Sequence, residues 1–260
     1  MTESVFELAP ITVLVGHAGV GKTNVALGLA LAEAAAGRTV TLADLDVVNP
    51  YFRSSDYPEI LREAGIRLIA PVLARTTLDT PSLTGELDAV IAQVAADPAQ
   101  RLIIDVGGDD DGATTIGRWA RMLTEAGARV LYVVSAFRAL TQAPEEAAAM
   151  LPDIEEHAHL RATAVLNTSN LSDETTAHNV LAGRHFAREV AGQLSLPLEA
   201  TIVPWATAER VALQAGEELG RPRVMQAPQG VAASLTDGAC GAEPLVCMPR
   251  FVRTPWDGAL

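Results

Sequence analysis

The only lysine of the chain, Lys22, lies in the sequence GHAGVGKT at residues 16–23, and every other basic residue is arginine. Gly16, Gly21, Lys22 and Thr23 match the Walker A pattern, in which backbone amides turn inward around phosphate oxygens. A compact ammonium on a flexible stem can reach between β- and γ-phosphates, whereas a planar guanidinium would crowd the loop. The segment therefore predicts a nucleotide phosphate site.

The predicted loop continues one residue into the helix that follows it. Its expected nucleotide contacts are Gly16, His17, Ala18, Gly19, Val20, Gly21, Lys22, Thr23 and Asn24. The hydroxyl of Thr23 is expected to bind the Mg²⁺ that accompanies the phosphates. A chance match to the pattern is the alternative, and the strand and helix predicted around the motif argue against it.

Two acidic residues follow in the sequence LADLDVVNPYFRS. Asp44 and Asp46 are two positions apart, so on an ideal strand both project to one face. Near a γ-phosphate, one carboxylate can hold a metal-bound water and the other can orient or deprotonate the attacking water. Asp46 is the preferred candidate for the water, and it is also expected, with Thr23 and Asp105, at the metal. The alternative is that either residue caps the turn that follows.

A third acidic residue, Asp105, ends the apolar run of RLIIDVGGDDDG. A carboxylate at the end of a buried strand suits a Walker B element, which binds Mg²⁺ through water. The amide of Gly108 could approach the γ-phosphate, so this segment would sense ATP or ADP. The acidic run that follows could pair with Arg53 or Arg118, although a solvated turn is the favoured interpretation.

Asn167, at the end of a later predicted strand, is the candidate residue for binding the nucleotide base. Thr168, Ser169 and Asn170 follow it, with no aspartate in the position of an NKxD guanine reader. ATP is therefore favoured over GTP. The alternative is that Asn167 forms a turn, as asparagine commonly does at strand ends.

Seven short apolar segments with strand-like composition alternate with helical stretches and would position these residues. The segments are 11–15, 39–45, 67–69, 102–106, 130–135, 163–167 and 198–203. This order predicts an α/β, three-layer P-loop NTPase fold, a mostly parallel sheet with helices on both faces and ligands beyond the carboxyl ends of the strands. Residues 1–216 form the predicted nucleotide-binding domain. Residues 217–260, rich in Gly, Pro and Arg, are expected to be a loop-rich extension of it, made of extended loops or an ordered arm.

Composition limits the classes of partner. With 260 residues and 49% hydrophobic content, the chain can bury the core of one α/β domain. A net charge of -13 disfavours nucleic acid and anionic membranes as partners. The first ten residues lack a cationic, apolar leader, and no segment has the ~20 apolar residues of a membrane span. We therefore expect a cytoplasmic protein that binds neither membrane nor nucleic acid.

Together these motifs resemble those of the MinD/ParA group of P-loop ATPases, which includes the CobQ/CobB nucleotide-binding domains, over residues 11–207. Asp44 and Asp46 resemble its switch I, and Asp105 with Gly107 and Gly108 its switch II. Within this group, the sequences GHAGVGKT, DLDVVNPYFRS and DVGGDDDGA are most similar to a MinD-like subfamily that has the motifs GHxGxGKT and DLDxVNPYFRS. The resemblance implies a Mg²⁺-dependent ATPase that acts as a switch or partner-assembly factor, with an ATP-linked homodimer and a further protein partner.

One position departs from the group. Its members carry KGGVGKT, with an early lysine that reaches the partner's nucleotide across an ATP-bound dimer, and here that position is His17. Three explanations stay open: His17 substitutes for the lysine, Arg53 or Arg138 acts as an arginine finger, or hydrolysis is slow until a partner supplies a cation. A fourth is that His17 only caps the local backbone.

Two other functions are alternatives. A biosynthetic ligase or kinase resembling dethiobiotin synthetase or CobQ/CobB needs a cationic substrate pocket, for which Arg53, Arg75 and Arg138 are the hints. A metallochaperone or iron–sulfur carrier would use Cys240 and Cys247. Their spacing is wider than a C-x2-C half-site, and packed loop thiols are the favoured interpretation.

Overall fold

The structure, a computed structural model, describes residues 8–46, 53–70, 80–215, 223–224 and 243–252. The described strands are β1 (Ile11–Val15), β2 (Thr39–Leu45), β3 (Arg67–Ile69), β4 (Gln100–Val106), β5 (Arg129–Val134), β6 (Ala164–Asn167), β7 (Leu198–Pro204), β8 (Arg223–Val224) and β9 (Leu245–Met248). They form one sheet in the order β3-β2-β4-β1-β5-β6-β7-β9-β8, and every neighbouring pair is parallel.

Helices cover both faces of this sheet. The described α-helices are α1 (Lys22–Ala35), α2 (Pro58–Glu63), α3 (Thr80–Ala96), α4 (Asp109–Thr114), α5 (Ala120–Glu125), α6 (Pro144–Ala158), α7 (Ala177–Leu194) and α8 (Ala208–Ala215). Along β1, Val13 and Val15 face a core shared with α3, α5, α6 and α7, whereas Leu14 faces a core shared with α1 and α2. The predicted three-layer α/β fold is confirmed. Among the described helices, none has the length and apolar content needed to cross a bilayer.

The predicted strands agree closely with the observed ones, and the first three have the same bounds. Within the tail, the described residues include β9, whose four residues are all buried between β7 and β8, so this part is ordered. Pairing with β7, from Thr201 opposite Leu245 to Pro204 opposite Met248, provides the backbone partners of this short strand. The proposed division at residues 216 and 217 lies outside the described residues.

Candidate phosphate-binding site

The phosphate loop connects β1 to α1 through a backbone that requires glycine. Gly16, Gly19 and Gly21 have φ angles of 148°, 74° and 97°, which residues with a side chain rarely adopt. A Cβ at Gly16 would also collide with the carbonyl oxygen of Val133. Positive φ values within a tight loop turn successive N–H groups toward a common centre, and α1 adds the unpaired amides of its first turn. The loop is therefore built to surround an anion.

Lys22 is buried under this loop. Its Nζ atom donates to the carbonyl oxygens of Gly16 at 2.8 Å and His17 at 3.0 Å. Burial lowers the pKa of Lys22, while the carboxylates of Asp105 and Asp46 raise it. The ammonium thus lies between the loop that would hold phosphates and the acidic residues at the neighbouring strand ends.

Asp105, at the end of β4, contacts the residues expected to bind metal. Its Oδ2 atom accepts a hydrogen bond from Ser54 Oγ at 2.7 Å. The nearby hydroxyl of Thr23 acts on the same carboxyl group and lowers its pKa. Burial, followed by repulsion from Asp44, raises the pKa of Asp105 to about 7. This is a buried carboxyl group that a cation would stabilise in its charged form.

The oxygen donors at this edge of the sheet fit Mg²⁺. In phosphate sites Mg²⁺ uses one or two carboxylates and completes its shell with water and phosphate oxygens. Thr23 acts on the Asp105 carboxyl group, and Asp105 and Asp46 both act on Lys22. Among the described residues, no group of three or more His, Cys, Asp or Glu side chains could hold a metal ion by itself. Thr23 and Asp105 are the residues that could hold Mg²⁺, with water and phosphate oxygens completing its shell.

The two aspartates at the end of β2 have different surroundings. Asp44 accepts from the backbone N–H of Asp46 at 3.0 Å through Oδ1 and from that of Ser55 at 2.8 Å through Oδ2. Both oxygens thus hold the chain where it leaves the strand, which is the capping alternative considered for this residue. Burial raises the pKa of Asp44. Asp46 instead lines the pocket beside Lys22.

The glycine pair after β4 packs directly on the phosphate loop. A Cβ at Gly108 would lie 2.6 Å from the Cα atom of Ala18, so no side chain fits there. The next residue, Asp109, begins α4 with a φ of 63°, and its carboxylate is hydrogen-bonded to Nδ1 of His17, a contact that is an ion pair when the imidazole is protonated. The sequence pointed to Arg53 or Arg118 as partners of this acidic run. Arg118 instead lies over the ring of Trp119.

A pocket of about 370 Å³ extends from the phosphate loop to the ends of β7 and β9. Residues 19–25 and Asp46 line it, together with Pro204 and Pro249 at the ends of β7 and β9. Its size is within the range of small-ligand pockets, and its place beyond the carboxyl ends of parallel strands is where α/β folds bind ligands.

Asn167 does not line this pocket. Its side chain is fully buried, with Nδ2 donating to Thr201 Oγ1 at 3.1 Å and Oδ1 accepting from the N–H of Ser169 at 3.0 Å. These bonds join β6 to β7 and shape the turn after β6, as in the turn-forming alternative. Asn170, three residues later, lines the pocket in its place.

The remaining candidate residues from the sequence, arginines and cysteines, differ in how far their side chains are exposed to solvent. Arg138 is exposed and lines the pocket, whereas Arg53 is buried in this conformation. Cys247 is buried in β9, and burial raises the pKa of its thiol to about 12. Arg75 and Cys240 lie outside the described residues.

No protein-family model and no curated protein matches the chain. Among solved structures, the cell division protein FtsY of Thermotoga maritima matches with a TM-score of 0.52 and 18% identity, covering 76% of this chain and 64% of that one. The signal recognition particle receptor FtsY of Elizabethkingia anophelis, in complex with GDP, matches with a TM-score of 0.50 and 18% identity over 76% and 58% of the two chains. Chloroplast FtsY of Physcomitrella patens matches with a TM-score of 0.50 and 16% identity over 76% and 61%.

The chain has the fold of a P-loop NTPase. At this level of identity the similarity describes the fold alone, and the chain spans less than two thirds of the length of these structures. Membership of the MinD/ParA group stays a prediction.

Proposed function

We propose that the chain binds ATP with Mg²⁺ and hydrolyses it slowly, as a nucleotide-controlled switch for a protein partner. The observation that carries this proposal is the position of Lys22, which is buried under a glycine loop while Asp105, at the end of a neighbouring strand, acts on its ammonium. Charge-assisted contacts of this kind stabilise transferring phosphoryl groups, and they require little more than positioning.

The residues divide the chemistry among them. The loop amides and Lys22 would hold the phosphates, while Thr23 and Asp105 would hold Mg²⁺, which neutralises phosphate charge when bound. Asp46, which lines the pocket beside Lys22, is placed to orient the attacking water and accept its proton. Asp44 serves the backbone in this conformation, so the water is assigned to Asp46.

ATP is proposed over GTP on the composition of the pocket. Guanine carries an amino donor at N2 that a carboxylate accepts well. Among the described lining residues the only carboxylate is Asp46, and Ile202, Pro204, Pro249 and Val252 add apolar surface beside the cations of Arg138 and Arg250. FtsY of Elizabethkingia anophelis binds GDP. A competition titration of ATP against GTP therefore belongs in the first experiment.

A switch needs an element whose position depends on the nucleotide. Gly108 packs on Ala18, and Asp109 pairs with His17, so α4 is attached directly to the phosphate loop. A γ-phosphate that engages His17 or the amide of Gly108 would change this attachment and move the start of α4. That movement is the signal a partner, or a second copy of the chain, would read.

The test is the substitution Lys22→Ala, measured by titration with a fluorescent ATP analogue and by phosphate release. Nucleotide binding and turnover should both be lost, because the substitution removes the one ammonium at the phosphates. Arg121→Ala, which removes an exposed cation of α5, is the matched control and should behave as the parent protein does. Unchanged affinity and turnover in Lys22→Ala would contradict the assignment of the loop.

A small-molecule ligase or kinase is the second candidate, favoured by the exposed guanidinium of Arg138 beside the pocket. It requires ADP release that depends on an added carboxylate acceptor. Phosphate release without an acceptor supports the switch instead. The buried thiol of Cys247 gives no support to a cluster carrier, because a metal ligand must be a reachable thiolate.

A further inference from the structure

Residues 243–252, named here the tail segment, include β9, and the residues at and after the end of this strand line the pocket beside the phosphate loop. At the start of the segment, Arg184 Nε donates to Glu243 Oε1 at 2.7 Å, and Arg188 donates to Oε2 at 3.1 Å. The side chains of Arg184 and Glu243 are 7% and 8% exposed, so this ion pair is buried. The tail segment is therefore fixed to α7 before β9 begins.

At its other end the tail segment is held by Asn24, the residue directly after the Walker threonine. Asn24 Nδ2 donates to the carbonyl oxygen of Pro249 at 3.1 Å. Its Oδ1 accepts from the N–H groups of Phe251 at 2.8 Å and Val252 at 3.3 Å. One amide side chain in the first turn of α1 thus satisfies three backbone groups that are more than two hundred residues away in the chain.

The face of α1 is shaped to receive this segment. A Cβ at Gly28, one turn after Asn24, would lie 2.5 Å from the sulfur of Met248. Only a glycine lets the methionine approach so closely. The tail segment therefore packs on α1 over a full helical turn, through the Met248 side chain at one level and the Asn24 hydrogen bonds at the next.

The same segment lines the pocket through Met248, Pro249, Arg250 and Val252, together with Pro204 at the end of β7. A triphosphate held by the loop amides and Lys22 places its ribose and base beyond the loop, toward these strand ends. Proline and valine there offer the flat apolar surface that a purine face needs.

We propose that the tail segment is the base-binding wall of the nucleotide pocket and that Asn24 is the positioning residue that holds it there. This inference rests on the proposed function. It adds an assignment of each part of the nucleotide to the element that binds it. The phosphate loop alone would bind a triphosphate, whereas the base requires the tail segment. Recognition of the base thereby depends on a residue at the phosphates.

The test compares Mg²⁺·ATP with Mg²⁺·tripolyphosphate, which has the phosphates and lacks the base. Asn24→Ala should weaken ATP binding about tenfold through loss of three hydrogen bonds and weaken tripolyphosphate binding about twofold or less. Amide hydrogen exchange at Phe251 and Val252 should become faster, which reports the position of the tail segment without any ligand. Val252→Ala, which changes the wall and leaves Asn24 in place, should also lower the ratio of ATP to tripolyphosphate affinity.

Equal weakening of both ligands by Asn24→Ala, with no change in amide exchange, would show that Asn24 serves the phosphate loop only and would overturn the proposal. Equal affinity of the parent protein for ATP and tripolyphosphate would also overturn it, because no wall would then be contacting the base. Failure of the proposed function has a different result: the parent protein binds neither ligand, and the wall proposal falls with it.

Discussion

Replacing Asp109 with asparagine should raise the affinity of the protein for ATP more than its affinity for ADP. His17 belongs to the phosphate loop, and the Asp109 carboxylate holds its Nδ1 atom at the start of α4. A γ-phosphate would compete with this carboxylate for the imidazole, whereas ADP ends one phosphate earlier. Breaking the contact between His17 and Asp109 therefore costs free energy, and this cost lowers the affinity for ATP.

The size of the effect follows from the exposure of the pair. The His17 and Asp109 side chains are 14% and 41% exposed, so their attraction is partly screened by solvent. Ion pairs of this kind contribute up to about 1 kcal/mol, which corresponds to about a fivefold change in affinity. Asparagine is the appropriate replacement because Asp109 has a φ of 63°, a conformation that asparagine tolerates.

The assay is a competition titration of ATP and ADP against a fluorescent nucleotide. It compares the parent protein with Asp109→Asn, His17→Ala and the double variant, which form a double-mutant cycle. In the absence of His17, the substitution at Asp109 should no longer favour ATP. Asp110→Asn removes the same charge from the next residue of α4 and is the matched control, expected to change the ratio of ATP to ADP affinity less than about twofold.

Two results would refute this reasoning. Equal gains for ATP and ADP, shared by Asp110→Asn, would mean that general repulsion by the acidic run is the whole effect. A loss of ATP affinity in Asp109→Asn would mean that the pair supports nucleotide binding instead of opposing it. In either case His17 would shape the loop without contacting the γ-phosphate.

The other predictions concern hydrolysis, stability and partners. Asp46→Ala should keep ATP affinity but slow single-turnover phosphate release by ~100-fold, because it removes the group that positions water; equally fast release would mean that another residue holds the water. Burial raises the pKa of the Asp105 carboxyl group in the folded protein from 3.8 to about 7. The folded state therefore loses stability as pH rises through that interval. In EDTA, Asp105→Asn should therefore melt above the parent protein at pH ~8 and lose that advantage near pH ~4; a difference independent of pH would contradict the burial argument. The net charge of -13 predicts no sedimentation with duplex DNA or anionic vesicles near physiological salt; ATP-dependent sedimentation with vesicles would point to residues 251–260.

Several site residues were identifiable from sequence but their partners were not. Asp44 and Asp46 have the same side chain two residues apart, yet only the path of the chain at Ser55 makes Asp44 a backbone cap. Asp109 was seen as part of an acidic run, and its pairing with His17 joins residues 92 apart. Asn167 ends its strand as predicted, but its side-chain amide donates a hydrogen bond to Thr201 on the neighbouring strand β7.

The sequence by itself determined the phosphate loop and the order of the layers. Both depend on short-range physics: glycine spacing sets the backbone of residues 16–23, and apolar runs between helices set a parallel sheet. Only the tertiary structure decided that β9 enters the sheet and that Asn24 holds Phe251. The sequence around β9 is rich in Gly and Pro and shows no alternation with helices, and a hydrogen bond across the whole chain leaves no local pattern. Both therefore become visible only when the sheet brings distant segments together.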